Sequence, residues 1–456
     1  MKNLEINQNF QTPHQARRAL VIGGSMAGLL AARVLTDHFD HVTLAERDRF
    51  PQQPQTRRGI PQADHIHVLL TQGERILANW FPGLIEELVA QGASEINWTA
   101  DCAIYSAFGW QPRFKSHLTT HPCSRNLLGW TVRKHLTTAD NLEILDGCRV
   151  TELIPNSDHT QIKGVKLSDD QGDQVRELPI DLVVDASGRS SALPKWLTEL
   201  GYEPPPETKI NAFLGYASRW YEIPDTFTRD WQALLIETKP PKMGRAGLIL
   251  EVEYRRWIVN LAGVGRDYPP TDEAGFLEFA RSLRHPLMYE TIKDARPISP
   301  IYSYRNTENQ LRHYEKLSRF PDGVVALGDA VCAFNPIYGQ GMTTAALEAL
   351  TLSQSLQQGW QPGSGADFQR KLAKIVQHPW SLATGVDQRW PQTQGGESNL
   401  VTRATEWYMD QVAQLSVRNP NIYQTFAEII HMLKPPSALF QPNYGLQILS
   451  QNLKQL

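Results

Sequence analysis

The continuous apolar run Ala19-Leu20-Val21-Ile22 breaks at Gly23-Gly24 and resumes as Met26-Ala27-Gly28-Leu29-Leu30-Ala31-Ala32, and a second run from His41 to Ala45 closes on Glu46. Short apolar runs bounded by glycine predict strands buried on both faces, joined here by a small-residue helix. The same pattern predicts strands at Leu142 to Leu145, Ile162 to Leu167 and Ile180 to Asp185, and another that ends at Gly328-Asp329. An irregular turn with Pro336 follows, and Gly339-Gln340-Gly341 opens a long helix. Leu128, Val132 and Leu136 share one helical face behind Ser124, a residue suited to capping. Leu69, Leu70, Ile76, Leu77 and Trp80 predict another helix, and Thr271 to Leu283 a third with a Thr-Asp-Glu start. From Tyr202 to about Tyr304 the pattern changes to aromatic alternation at Phe213, Tyr216, Trp220 and Tyr221, with strands at Ala246 to Val252 and Trp257 to Ala262. That stretch predicts a largely antiparallel sheet.

The elements together predict an α/β fold. A Rossmann-like domain is expected from residues 17–99, 124–192 and 313–360, and a mainly antiparallel β-sheet substrate domain is inserted as 100–123 and 193–312. A helical C-terminal region over 361–456 and a flexible N-terminal tail over 1–16 complete the chain. The chain has 456 residues and a formal charge of −3 with no single-sign block, which gives no electrostatic footprint for nucleic acid. The four cysteines, Cys102, Cys123, Cys148 and Cys332, have neither the density nor the spacing of a disulfide framework or a zinc site, which indicates a reducing, cytoplasmic setting. No apolar run is long enough to predict a transmembrane segment.

The first strand, turn and helix carry Gly23-Gly24-Ser25-Met26-Ala27-Gly28, a phosphate-gripping turn of a dinucleotide site. Gly23 permits the tight turn, and Gly28 lets the helix approach the sheet. Ser25 stands where the middle glycine of the fingerprint is expected, and its hydroxyl is small enough to fit. Glu46 ends the second strand where a carboxylate accepts both ribose hydroxyls and disfavours a 2′-phosphate. Arg57 and Arg58 precede a turn, where they can meet phosphates or a flavin edge or simply face water. His65 and His67 alternate on one side of an extended segment, but no acidic or cysteine partner stands at ligand spacing, so no metal site is expected. Arg125 in the first turn of a helix opposes the helix dipole, which points to an anionic partner or to an exposed side chain. Cys332 reads as a small buried hydrophobe.

Three separated strings, Gly23 to Gly28 with Glu46, Asp185 to Ser190, and Gly328-Asp329 through Pro336-x-x-Gly339-x-Gly341, together resemble the FAD-dependent monooxygenases of the aromatic-hydroxylase type. Arg58-Gly59-Ile60-Pro61-Gln62 through Leu70 and Asn335 to Met342 look like a bacterial subgroup that includes flavin epoxidases of polyketide pathways. The resemblance covers nearly the whole chain beyond the tail. It implies a non-covalent FAD cofactor, with Glu46 at the adenosine ribose, Arg125 near the pyrophosphate and Asp329 at the ribityl hydroxyls. It also implies cofactor contacts at Gly23, Ser25, Met26, Ala27, Gly28, Arg47, Arg58, Asp185, Gly328, Gln340 and Met342. Pro336, Gly339 and Gly341 would position the flavin ring and so serve catalysis.

The implied chemistry is insertion of one oxygen atom from O2, by hydroxylation or epoxidation through a flavin C4a-hydroperoxide, into an apolar small molecule of secondary metabolism. An FAD-dependent reductase or dehydrogenase acting on alkenes is the alternative, with a flavin-dependent halogenase behind it. The halogenase pattern W-x-W-x-I-P is not met, because Arg219-Trp220-Tyr221-Glu222-Ile223-Pro224 replaces both tryptophans. A non-catalytic flavin-binding protein is the reading from another class, and the intact Asp329 to Gly341 turn argues against it. The family's Asp-Gly pair is Ser187-Gly188 here, so the reductant is either NAD(P)H used directly or electrons from a separate flavin reductase.

Overall fold

The computed structural model describes residues 16–170, 172, 175–396, 400–442, 444–445 and 447–448. The expected tail over 1–16 lies outside them except for its last residue. A five-stranded, all-parallel sheet forms the first layer, from β1 (Arg18–Ile22), β2 (His41–Glu46), β3 (Leu142–Asp146), β4 (Leu182–Asp185) and β5 (Val324–Ala326), in the order β5-β4-β1-β2-β3. β1, β4 and β5 are buried along nearly their whole length, as their unbroken apolar runs require. Against this sheet pack α1 (Met26–Thr36), α2 (Arg125–Leu136), α3 (Gly341–Gln357) and α4 (Ser364–Asp387). Ser124 caps α2 by accepting from the Leu127 amide.

The strand expected from Ile162 is not part of the parallel sheet: Ile162–Asp169 lies between Cys148–Pro155 and Val175–Pro179 in an antiparallel three-stranded sheet. A separate seven-stranded sheet takes in Cys102–Ser106, Gly109–Trp110, Gly215–Glu222, Ala233–Ile236, Arg245–Val252, Arg256–Gly263 and Tyr302–Tyr304. Its pairings are antiparallel except that Cys102–Ser106 runs parallel to Ala233–Ile236. One face is sealed by the helices Glu273–Arg281 and Leu287–Ile292 through Phe276, Phe279 and Met288. The Thr-Asp-Glu start is observed as an Asp272 cap, whose side chain accepts from the Gly275 amide. The helix expected from Leu69 begins later, at Thr71, because Leu70 is extended and gives its amide to Thr343. Beyond α4 the chain is helical over Leu400–Ser416 and Pro420–Ile430. No described helix is long and apolar enough to cross a membrane, and all four cysteines are free thiols.

Candidate cofactor site

β1 delivers the chain to Gly23 at φ +100°, where a Cβ would lie 2.6 Å from the Ala186 carbonyl oxygen. A Cβ on Gly28 would lie 1.7 Å from the Gly23 carbonyl oxygen, so both positions require glycine. Ser25 is the N-cap residue of α1, yet its side chain caps nothing in the helix, and the first turn contains no acid. The Ser25 hydroxyl instead accepts from Arg125 Nη2 at 3.0 Å. Arg125 is 5 % exposed, and no carboxylate lies within ion-pair distance of it among the described residues. Burial, with Arg57 nearby, lowers its pKa to about 10, so it stays cationic at neutral pH. A buried cation without an acid, beside the open start of a helix, has the charge and donors to hold a phosphate.

Glu46 is buried and already occupied. Its Oε2 accepts from the Gly24 amide at 2.7 Å and meets Arg57 Nη1 at 2.9 Å, while Oε1 accepts from the Asp48 amide at 3.0 Å. Burial by itself would raise this carboxyl, but Arg57 and the two amides outweigh it and hold it below the usual range. Arg57 also donates to the Gly24 carbonyl at 2.7 Å and lies over the Phe50 ring. Of the two adjacent arginines it is therefore Arg57 that meets the fingerprint, while Arg58 and Arg47 face solvent.

Asp185 sits at the end of β4, where its carboxylate takes the Ser187 amide at 3.0 Å, the Ser187 hydroxyl at 2.5 Å and the Ser191 hydroxyl. The structure thus turns Asp185 inward to hold its own loop, and burial raises its pKa against those bonds. Gly328, at φ +65°, packs on α1, since a Cβ there would come within 2.6 Å of the Ala27 Cβ. Asp329 beside it combines an accessible side chain with a deeply embedded position, the signature of a group in a cleft. Burial raises its carboxyl despite Arg189 and Arg312. Met26 is buried in the core under α1. Cys332 is buried as well, which pushes its thiol well above the ordinary value.

The Pro336–Tyr338 turn ends in Gly339 at φ +65° and leads into α3. Gly341 opens that helix accessible to solvent, with no atom within 4 Å of where a Cβ would stand, and Met342 is half-buried beside it. Gln340 is buried with its Oε1 unpartnered. Sequence reasoning missed what holds this turn. Asp387, at the end of α4, accepts from Tyr338 OH at 2.6 Å, Asn309 Nδ2 at 2.6 Å and Asn335 Nδ2 at 3.3 Å. Its carboxyl is raised by burial and partly restored by those three donors.

The strap from Arg57 to Leu70 draws these parts together. Arg57 touches the fingerprint, Val68 lies 3.6 Å from a Cβ placed on Gly339, and the Leu70 amide bonds Thr343 in α3. The two histidines do not share one environment as their alternation suggests. His65 Nδ1 pairs with Ser218 Oγ at 2.8 Å on the large sheet, while His67 Nδ1 turns back to donate to the His65 carbonyl at 3.1 Å. Burial lowers both, to about 4 and about 3, so both are neutral at physiological pH.

A protein of Mycobacterium tuberculosis, Protein Rv3254, is 33 % identical over 375 residues, covering 80 % of this chain and 78 % of its own. The chain belongs to the Rv3254 family. No family model matches it. Among solved structures, the flavin-dependent brominase Bmp2 aligns over 96 % of this chain and 99 % of its own with a TM-score of 0.67 at 13 % identity. PqsL, a probable FAD-dependent monooxygenase from Pseudomonas aeruginosa, covers 82 % of this chain and 98 % of its own with a TM-score of 0.60 at 17 % identity. The fold of this Rv3254-family chain is therefore that of the FAD-dependent monooxygenases of the aromatic-hydroxylase type and of flavin-dependent halogenases.

Proposed function

We propose that this protein is an FAD-dependent oxidoreductase, a monooxygenase that inserts one oxygen atom from O2 into an apolar small molecule by hydroxylation or epoxidation. One observation carries the cofactor: Arg125 is buried without an acid beside the open start of α1, and the strap whose His67 neighbours it reaches the accessible start of α3 through Val68 and Leu70. The orphaned Gln340 Oε1 and the accessible Asp329 fit a polar ring edge and a polyhydroxyl chain, respectively. In this reading Arg125 and the α1 amides hold the pyrophosphate, Glu46 the ribose, and Asp329 the ribityl hydroxyls. The α3 amides at Gly341 stabilise negative charge on the reduced ring, and Asp387 fixes the Pro336 to Gly341 turn through Asn335 and Tyr338. Bound FAD supplies two-electron activation of O2. The chain supplies orientation and the polar groups that meet the cofactor. A cytoplasmic location suits the free thiols.

Apoprotein titrated with FAD and FMN should bind FAD far more tightly, since only FAD has the pyrophosphate and ribose. Photoreduced holoprotein given 18O2 and candidate apolar alkenes should then yield a product carrying one 18O atom. Comparable FAD and FMN affinities would remove the site assignment, and reduction of the alkene without oxygen would favour the reductase. Halogenation is the second reading, favoured by the fold it shares with the brominase. Bromide in the same assay, giving a brominated product and no label, would replace oxygenation.

A further inference from the structure

The large sheet has one face sealed by helices, and the other carries Ile66 and Val68 of the strap together with Trp98 and Trp390. On that second face, residues paired directly across neighbouring strands form rows. Tyr216, Ala262 and Ala246 make one row, buried under Trp390 from the loop after Asp387. Ile258, Leu250, Ala233 and Cys102 make another, covered by Ile66, Val68 and Trp98. Between them lies Asn260↔Leu248↔Leu235↔Ile104, in register on four adjacent strands, and each of the four is only half-buried. An accessible row between two covered rows is the floor of a trough, about 14 Å long at the spacing of neighbouring strands.

Its inner end is closed at Ser218, next in register to Asn260, by the hydrogen bond to His65. Its walls rest on the strap and on the chain beyond Asp387, the same two segments that flank the proposed flavin site. The floor is apolar except at Asn260, whose amide has no hydrogen-bond partner among the described residues. Glu237, two residues beyond Leu235, is half-buried, and burial pushes it up to about 7 against the nearby Arg284. That guanidinium is already committed to the Ser106, Ala107 and Glu237 carbonyls, so a negative ligand finds no uncommitted cation beside Glu237.

We propose that this trough binds the substrate, an elongated, uncharged, mainly apolar molecule whose one hydrogen-bonding group is read by Asn260. The assignment rests on the flavoenzyme reading and names the substrate class of that site.

The test uses the full-length protein with Nile red, an uncharged elongated fluorophore, and decan-1-ol or decanoate as competitor. The wild type should bind Nile red with blue-shifted emission and release it to decan-1-ol but not to decanoate. Leu235→Trp, which fills the floor, should weaken Nile red at least tenfold while leaving FAD affinity and the melting temperature unchanged. Leu248→Phe repeats the test with a smaller addition if the tryptophan variant does not fold. Asn260→Leu should weaken decan-1-ol three- to tenfold, the scale of one hydrogen bond. No Nile red binding by wild type, unaltered binding in both filled variants, unaltered decan-1-ol affinity in Asn260→Leu, or displacement by decanoate as effective as by decan-1-ol overturns the proposal. FAD titration of the same samples separates the two readings: retained FAD binding with no trough ligand sinks the trough, and the reverse sinks the flavin.

Discussion

The two ends of the candidate cofactor site differ in how much of their bonding is complete. At the Glu46 end, the carboxylate already takes two amides and ion-pairs with Arg57 Nη1, which makes no aligned hydrogen bond of its own, and its charge is stabilised. At the Gly341 end, Gln340 Oε1 is orphaned, α3 has no side-chain cap and the Asp329 carboxyl is destabilised by burial. Polar groups left open in an embedded place cost stability unless something binds them. The first end is thus pre-organised by contacts within the chain, with acceptor capacity left on Glu46 for a ribose, and the second is built to be completed by a ligand. Arg125 belongs with the second kind, although it stands beside the fingerprint.

The largest test breaks the scaffold of the open end. Asp387→Ala removes the acceptor of Tyr338, Asn309 and Asn335 together and leaves two buried amides and a half-buried hydroxyl unpaired. A loss of about 3–5 kcal/mol in chemical denaturation is expected, with weakened FAD binding. A loss under ~1 kcal/mol with wild-type FAD affinity would show that the turn stands without Asp387. Next comes Arg125→Met. It deletes a charge-assisted contact to the pyrophosphate of about 1.5–3 kcal/mol, so FAD affinity should fall roughly 10- to 150-fold. Because the arginine is a buried cation without an acid, apoprotein stability should hold or rise. A fall in stability with FAD affinity intact would place Arg125 with the self-satisfied end.

This contrast also explains what the sequence made legible. Gly28 and Ser124 act on the backbone within a few residues, so their roles follow from local spacing, whereas the carbonyl that excludes a Cβ at Gly23 comes from Ala186. The strands of the parallel sheet follow from their apolar runs, but Ala233–Ile236 and Tyr302–Tyr304 of the large sheet are not among those expected. Asp387 acts on residues far away in sequence, inside a helix with no motif, and nothing nearby marks it. The choice between Arg57 and Arg58 depends on which way a loop turns over Phe50, which composition does not carry. Asp185 was legible as a strand-end carboxylate, but the hydroxyls of Ser187 and Ser191 that claim it only meet it in the folded turn.

Glu348 offers a pH test of the open end. It lies buried in α3 with one oxygen accepting from the Gly328 amide and the other unpartnered, and burial pushes its pKa up to about 8. The folded protein therefore holds a proton that the unfolded chain releases near the ordinary glutamate value. Stability tied to this group is complete at low pH and is lost as pH rises toward 8. Above about pH 7.5, where the lowered histidines are mostly neutral in the unfolded chain as well, wild-type stability should fall by about 1 kcal/mol per pH unit from this proton. Glu348→Gln should flatten that slope between pH 7 and 8, read from urea midpoints. Parallel slopes in the two proteins would mean that Glu348 is ionised in the fold.

The smallest expected effect concerns electron supply. Ser187 replaces the carboxylate of the family's Asp-Gly pair, and its hydroxyl is spent on Asp185 at 2.5 Å, so it has no free acceptor charge to offer a nicotinamide. Direct reduction by NAD(P)H should then be slow, and a separate flavin reductase should support turnover better. Ser187→Asp would place a second carboxylate against buried Asp185, whose pKa is already raised, so the pair would share a proton rather than gain a full charge. The variant should change the NADH reduction rate by less than about tenfold, under ~1.4 kcal/mol. Stopped-flow loss of oxidised-flavin absorbance measures both. Wild-type reduction by saturating NADH or NADPH as fast as steady-state turnover would sink the two-component scheme, and a large gain in Ser187→Asp would show that this one side chain limits nicotinamide use.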